Sequence, residues 1–205
     1  TYIHFTAAYH TNYHKHSDDL SVWIYAKGHD IVTEAGPNGY QYELPLTQYA
    51  FSSYAHNTLI VNDKGLPRVD GKYDQTYIEK YNLDESVSSV TGVNNRYDNV
   101  THRRNLQYDR KTNVITVTDH IYSDTKNNYK LLWNLAEGVE IEEIDNNKHH
   151  LRFLINEEEV MTLEIKGDVK ISKVFGQENP LLGWNIKESN NKIPTYTIIL
   201  ETDAP

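Results

Sequence analysis

The residues best suited to chemistry are the histidines, and six of the ten lie within the first 56 residues. The sharpest local feature is the run HKHSDD at 14–19. In an extended segment, His14 and His16 would project to one face and Lys15 to the other. Two imidazoles on one face can share a metal ion, or one can bind metal while the other meets a substrate. The alternative interpretation is two surface histidines, because this pattern alone has low specificity.

The elements that position these side chains are predicted to be strands. In the segment 20–26, Leu20, Val22 and Ile24 fall on one face, as expected for a strand buried on one side. Similar short runs predict further strands at 57–62, 85–93, 113–122, 129–135, 150–155, 160–165, 169–175 and 195–200. Turn-forming residues separate the runs, and no convincing helical stripe is present. The sequence therefore predicts a single all-β domain over residues 1–205, a sandwich of two antiparallel sheets.

The segment from Gly36 to Tyr54 has a different pattern. Gly, Pro and Asn open it, tyrosines are frequent, and no clean alternation runs through it. We interpret it as a long loop that crosses a sheet face, and such loops are more often functional than structural.

Composition excludes several classes of partner. The net charge is −9 and Lys and Arg form no cluster, which argues against a nucleic-acid-binding protein. No apolar run has the length of a membrane span. The absence of cysteine leaves the compartment open, with a secreted or periplasmic location favoured. The 16 tyrosines suit half-buried strands and carbohydrate-facing surfaces alike.

The start of the chain, TYIHFTAAYH, lies within a strand-like pattern. It has neither the basic start nor the apolar stretch of a signal peptide. We therefore expect the chain to be part of a longer protein.

The ordered set of motifs resembles the heparinase II/III-like polysaccharide lyase family, in its C-terminal β-sandwich domain. The run HKHSDDLSVWIYAKGHDIVTEAG, a Tyr-rich loop and then SSYAHNTLIVND are similar to the family's HxHxD motif, acidic strand end and AHNT segment. HRRNLQY at 102–108 and LLWNL at 131–135 look like later strands of the family. The resemblance covers the first 60 residues closely and the rest loosely.

The resemblance implies a large, supersandwich-like antiparallel β-sandwich that follows an N-terminal helical (α/α) toroid, with the active site between the two domains. It implies cleavage of an acidic polysaccharide by β-elimination at a uronic acid. Such chemistry needs a neutralised carboxylate, and a Tyr or His that removes the adjacent proton and returns one to the leaving oxygen.

The resemblance also implies roles for individual residues near the cleft. His14 matches the substrate-side histidine of the HxHxD motif, and it is predicted to be catalytic together with Tyr42 or, less favoured, Tyr40. Tyr40 and Arg103 are candidates for substrate binding. Because neighbouring strand residues face opposite ways, at most one of Arg103 and Arg104 can face the cleft.

A structural zinc ion is implied in the same region. His16 and His56 match the family's metal-binding histidines, and Glu34 falls where the family usually has an Asp. Two imidazoles and one carboxylate are a credible zinc set with the fourth position open. The Glu is one methylene longer than the usual Asp, so its carboxylate must fold back, or the backbone must shift, for it to reach the metal. The alternatives are hydrogen-bonded core histidines without metal, and an exposed acid at a strand end.

Two functions are compatible with this sequence. The first is the sandwich domain of a polysaccharide lyase, with other catalytic groups on the absent toroid, so that these 205 residues alone are not expected to cleave polysaccharide. The second is a noncatalytic sandwich that binds carbohydrate or packs against a partner domain.

Overall fold

The regular structure of the protein is almost entirely β. A computed structural model describes residues 1–146 and 148–204, which form eighteen strands, one α-helix and one 3-10 helix. The helix α1 is Pro45–Phe51 and the 3-10 helix is Ser53–Ala55. The strands are β1 Tyr2–Phe5, β2 Val22–Ala26, β3 His29–Val32, β4 Leu59–Val61, β5 Thr76–Leu83, β6 Val87–Asn94, β7 Val100–Asp109, β8 Val114–Ser123, β9 Asn127–Asn134, β10 Glu140–Glu143, β11 His150–Ile155, β12 Glu158–Glu164, β13 Lys170–Phe175, β14 Gln177–Glu178, β15 Leu181–Leu182, β16 Trp184–Glu188, β17 Asn191–Pro194 and β18 Tyr196–Ala204.

Antiparallel pairing collects these strands into layers. Two sheets have four strands, in the orders β13-β18-β9-β4 and β5-β6-β7-β8, and two have three, β1-β2-β3 and β10-β11-β12. The ribbons β14-β15 and β16-β17 complete the set. This arrangement confirms the predicted all-β sandwich. No helix in the described ranges is long and apolar enough to cross a membrane.

Local sequence explains the strands nearest the histidines. In β2, Val22, Ile24 and Ala26 are buried while Trp23 and Tyr25 are exposed, as the alternation predicts. The hairpin to β3 turns through two residues only, with φ of 52° at position 27 and 87° at position 28. Positive φ at both positions is the signature of a type I′ turn, whose twist matches that of the flanking strands.

A glycine allows two layers to approach closely. A Cβ atom at Gly92 of β6 would lie 2.5 Å from Leu20 Cδ2 and 2.8 Å from Phe5 Cζ. Only a residue without a side chain fits there, so Gly92 lets the β5–β8 sheet pack against β1 and the turn before β2.

The layers are also joined by a buried arginine. Arg104 of β7 is fully buried, and its Nη1 donates to the carbonyls of Leu20 at 2.7 Å and Asn57 at 2.6 Å. Its Nε donates to Asp119 Oδ1 of β8 at 2.7 Å, and His102 Nε2 lies 2.6 Å from the same oxygen. This group ties the β5–β8 sheet to the segments that precede β2 and β4.

Leu20 was predicted to be a strand residue, and this prediction is wrong. Its φ is 61°, in the left-handed region, and β2 begins two residues later at Val22. The turn is fixed by a hydrogen bond from Ser21 N to Asp18 O and by Arg104, which binds the Leu20 carbonyl. These contacts offset a backbone cost of about 1–2 kcal/mol for a side-chain-bearing residue.

The predicted loop at 36–54 contains helix α1, so the prediction of irregular structure is wrong for that part. Pro45 occupies the start of the helix, where its missing N–H costs nothing. Thr47, Tyr49, Ala50 and Phe51 of this helix are buried. The helix has seven residues and no side-chain cap, so its sequence signal is weak and burial stabilises it.

The Asp119 carboxylate is predicted to stabilise the fold in a pH-dependent way. Burial raises its pKa, but the charge of Arg104 and the hydrogen bond with His102 outweigh burial and hold that pKa well below its usual range. The stabilisation is therefore complete above the ordinary carboxyl pKa of about 4 and is lost as pH falls below it.

We expect Asp119→Asn to lower the free energy of unfolding by about 3 kcal/mol at pH 7, because Arg104 is left buried without its counter-ion. The difference from the parent protein should shrink below about pH 4. Urea unfolding between pH 7 and pH 3 measures both effects. Asp124→Asn, at an exposed residue, is the control. An equal loss in both variants would contradict the role of Asp119.

Candidate functional site

Residues 12–19, which we call the histidine loop, are held by buried ion pairs. Lys15 Nζ donates to Asp18 Oδ1 at 2.6 Å and to Asp19 Oδ2 at 3.3 Å. Arg96, whose side chain is fully buried, donates from Nη1 to Asp19 Oδ2 at 2.7 Å. These charges are paired and hydrogen-bonded, so they fix the loop backbone.

His14 stands at the exposed tip of this loop. The segment 14–16 is not extended, because His14 has a φ of 52° and lies in a turn. Its Nδ1 lies 2.9 Å from the hydroxyl of Tyr40, and both side chains are exposed. A hydrogen-bonded Tyr–His pair in contact with solvent is an arrangement that can remove and deliver protons.

His16 is less exposed to solvent than His14. Its Nδ1 is 3.1 Å from the carbonyl of Ala50 in α1, and its ring packs on Phe51 with centroids 4.2 Å apart. The ring of His56 is edge-on to it at 5.3 Å. Helix α1, which the sequence did not reveal, thus forms the wall against which His16 rests.

Glu34 and His56 form a pair next to His16. Glu34 Oε1 lies 3.0 Å from His56 Nδ1, and the histidine side chain is 3% exposed. Glu34 follows β3, and its neighbour Ala35 is tied to the 3-10 helix by the hydrogen bond from Ala35 N to Ala55 O at 2.9 Å. This backbone bond brings the end of β3 to the AHNT segment.

The electrostatics of the pair favour charge on both partners. Burial raises the pKa of Glu34, but the charge of the nearby His56 and the hydroxyl of Ser21 outweigh it and lower that pKa to about 2. Burial lowers the pKa of His56, but the Glu34 carboxylate outweighs it and raises it. For His16, burial and the nearby His56 both lower the pKa. His16 is therefore the imidazole more readily kept neutral.

The three predicted metal ligands are together, but not in a ligating arrangement. Across residues 1–146 and 148–204, no group of three or more His, Asp or Glu side chains is placed to hold a metal ion. Glu34 Oε1 lies at ion-pair distance from His56 Nδ1, but both ring nitrogens of His56 are buried and neither makes a well-formed hydrogen bond within the described residues. An imidazole nitrogen without a partner is a donor that a metal could use.

The side chain of Asn57 holds the backbone next to His56 through hydrogen bonds to the neighbouring strands. Its Nδ2 donates to the carbonyls of Val22 at 2.7 Å and Thr33 at 2.9 Å. Its Oδ1 accepts from Asn134 N at 2.6 Å, and its own carbonyl accepts from Arg104. One side chain thus bonds to β2, to β9 and to the residue after β3.

Tyr42 faces the same region as His16 but does not share the contact made by Tyr40. Its ring packs on Phe51 with centroids 5.2 Å apart. The guanidinium carbon of Arg68 lies 5.0 Å from the Tyr42 ring centroid and 5.5 Å from that of Phe51. The catalytic role of Tyr42 stays a prediction, and Tyr40 is the tyrosine that the structure brings to His14.

Arg103 lies outside this group of residues. It pairs with Glu79 at an exposed position, with Arg103 Nε donating to Glu79 Oε2 at 3.0 Å. Its neighbour Arg104 points the opposite way and binds the Asn57 carbonyl. The substrate-binding role of Arg103 therefore stays a prediction without a contact to the other candidates.

Sequence reasoning brought together His14, His16, Glu34 and His56, and it missed two kinds of residue. Asn57, within the AHNT segment, acts through backbone carbonyls that no sequence pattern identifies. Arg68 was missed because it lies alone in an irregular stretch, LPRVD, without a motif.

Comparisons with known proteins agree with the fold and with the motifs. The chain is matched over residues 1–204 by the family described as Heparinase II/III-like, C-terminal. Its fold is similar to that of heparan sulfate lyase HepC from Pedobacter heparinus, with a TM-score of 0.81 and 15% sequence identity. That likeness covers 98% of this chain and 30% of the lyase. No curated protein matches the sequence.

A structure of heparinase III is similar as well, with a TM-score of 0.70 and 17% identity over 92% of this chain and 28% of that one. At these identities the likeness shows the fold, and the chain spans about 30% of the length of the lyases it resembles. The match over residues 1–204 shows more, and the chain belongs to the heparinase II/III-like family, as its C-terminal domain.

Proposed function

We propose that this chain is the β-sandwich part of a polysaccharide lyase that cleaves a uronic-acid-containing polysaccharide by β-elimination. The observation that carries the proposal is the exposed contact of 2.9 Å between His14 Nδ1 and the Tyr40 hydroxyl. Family membership supports it, and one structural neighbour is described as a heparan sulfate lyase. The substrate class is an acidic polysaccharide.

The reaction explains why these residue types are needed. A base removes the proton from the carbon that bears the uronate carboxylate, the bond to the leaving oxygen breaks, and a carbon–carbon double bond forms. The leaving oxygen then takes a proton. Imidazole and phenol groups joined by a hydrogen bond can serve as base and acid within reach of one sugar ring.

The position of the pair implies that another domain completes the site. Tyr40 is 63% exposed, and the cavity of about 420 Å³ beside Glu34 is lined by neither His14 nor Tyr40. A substrate would meet the pair on an open surface, where water weakens electrostatic stabilisation. The proposal therefore includes a helical toroid domain, outside this chain, that closes over the histidine loop and supplies further catalytic groups.

A zinc ion belongs to the proposal. The unpartnered His56 Nε2 and the adjacent His16 ring are suited to bind it, and Glu34 either becomes a ligand or stays on His56 Nδ1. A carboxylate on the far nitrogen of an imidazole orients it as a metal ligand. Bound zinc would fix the histidines as a structural ion and would replace the proton on His56.

Lyase activity is expected to depend on His14 and Tyr40. In the complete product of the gene, His14→Ala and Tyr40→Phe should each lower kcat by about 10²–10⁴-fold, the usual loss for a general acid or base. The ultraviolet absorbance of the unsaturated uronate product, with heparan sulfate, alginate and hyaluronan as substrates, measures turnover.

Tyr42→Phe is the matched comparison, because it removes one hydroxyl and keeps the packing on Phe51 and Arg68. It should stay close to the parent activity if Tyr40 is the partner of His14. Residues 1–205 alone should show no turnover. Turnover by this chain alone, or full activity in His14→Ala, would contradict the division of labour between two domains.

Zinc binding is expected to raise the melting temperature. At a free zinc concentration one hundred times Kd, binding stabilises by about 2.7 kcal/mol. His16→Gln and His56→Gln should abolish the response, whereas His120→Gln, at an exposed residue, should keep it. Lys15 is unsuitable as a control because it holds Asp18 and Asp19. A response that survives His16→Gln and His56→Gln would place the metal elsewhere.

A further inference from the structure

We propose that Arg68 forms an anion-binding subsite that holds a sulfate or carboxylate group of the sugar next to the one being cleaved. This inference rests on the proposed function and names a substrate contact that neither the motifs nor the family resemblance assigned. Its basis is the position of Arg68, its charge and its hydrogen-bonding capacity.

The position of Arg68 is set by the histidine loop and by two aromatic rings. Its Nη1 donates to the carbonyls of Asn12 at 3.3 Å and Lys15 at 3.4 Å, which lie on either side of His14 in the chain. Its guanidinium also packs on the ring of Phe51, which contacts the ring of His16 as well. Arg68 therefore binds the carbonyl of Lys15, the residue between His14 and His16.

No carboxylate in the described ranges forms an ion pair with Arg68. Among the six arginines, four form an ion pair with a carboxylate in the described part of the chain, namely Arg96, Arg103, Arg104 and Arg152. Arg68 forms none there. The chain carries 29 acidic against 20 basic residues, so the lack of an ion pair at Arg68, which binds carbonyls of the histidine loop, is not due to a shortage of carboxylates. Lys15, the other cation of the loop, is already paired with Asp18 and Asp19.

Arg68 keeps the hydrogen-bond donors that recognition of an anion needs. A guanidinium has five N–H groups, and in Arg68 only Nη1 donates to described residues. The remaining N–H groups match the two oxygens of a carboxylate or sulfate. Stacking on Tyr42 and Phe51 holds the plane of the group, so less freedom is lost when the ligand binds.

The competing interpretation is that Arg68 only braces the histidine loop through the two carbonyls. The two roles predict different measurements. If Arg68 only positions the histidine loop, its replacement disturbs His14 and lowers kcat equally for every substrate. If Arg68 forms a subsite, its replacement removes a contact to the bound sugar. Kd and KM then rise, and binding becomes less sensitive to salt because one ionic contact is lost.

The test uses the complete gene product in a His14→Ala background, so that binding is measured without turnover. Calorimetry with oligosaccharides of heparan sulfate and of its unsulfated precursor polymer gives Kd at low and at high salt. Arg68→Gln is compared with Arg110→Gln. Arg110 also has no carboxylate partner in the described residues, and it stacks on Tyr108 at 5.5 Å, far along the chain from the histidine loop.

Arg68→Gln should raise Kd at low salt by about tenfold, the loss expected for a charge-assisted contact, while Arg110→Gln should leave it unchanged. An effect confined to the sulfated oligosaccharide shows that Arg68 binds a sulfate group. An equal effect on both oligosaccharides shows that Arg68 binds the uronate carboxylate. Arg68→Lys keeps the charge and should recover part of the affinity, and it serves if Arg68→Gln fails to fold.

Unchanged Kd in both Arg68 variants overturns the subsite, and so does a loss of kcat without a change in Kd, measured with His14 intact. Those results leave the proposed lyase function standing if the parent protein cleaves and binds uronate polymers. A parent protein that neither binds nor cleaves any of them overturns the proposed function and the subsite together.

Discussion

Arg104 places a full positive charge where no water reaches, and much of the region around the site follows from how that charge is satisfied. Its guanidinium is shared between the Asp119 carboxylate and the carbonyls of Leu20 and Asn57. Each acceptor belongs to a different segment, so the bonds can form only when β8, the turn before β2 and the AHNT segment are all in place. A buried charge that loses any of these partners costs several kcal/mol, which makes the arrangement nearly all-or-none.

The candidate site is the exposed end of this buried framework. Asn57, whose carbonyl binds Arg104, holds the backbone next to His56 through its hydrogen bonds to the neighbouring strands. The Asp19–Arg96 ion pair holds the histidine loop. His14 and Tyr40, by contrast, are exposed. Groups that exchange protons with a substrate must be accessible, while their precision comes from supporting residues locked by packing and hydrogen bonds. This division between exposed side chains and a buried polar support agrees with the proposed function, in which a second domain covers His14 and Tyr40.

Local periodicity predicted most of the longer strands, because apolar alternation and turn residues are local properties. It did not predict β5, which is exposed from its second residue onward. It failed where tertiary contacts decide the backbone. Leu20 looks like a strand residue, yet Arg104, 84 positions away, holds its carbonyl in a left-handed turn. Helix α1 has seven residues and no side-chain cap, so only its burial against His16 and the neighbouring strands reveals it. Motif order predicted that His14, His16, Glu34 and His56 lie in one region. It favoured Tyr42 over Tyr40 as the catalytic tyrosine, whereas the hydroxyl that lies next to His14 is that of Tyr40.

The most direct test of the proposed lyase function is a crystal structure of the complete gene product with a uronate oligosaccharide bound. We expect the oligosaccharide to lie in a cleft between this sandwich and a preceding helical domain. A uronate ring should contact His14 and Tyr40, and a neighbouring anionic group should contact Arg68. An oligosaccharide bound on the exposed face of the β5–β8 sheet around Arg103, with the histidine loop away from any sugar, would contradict it.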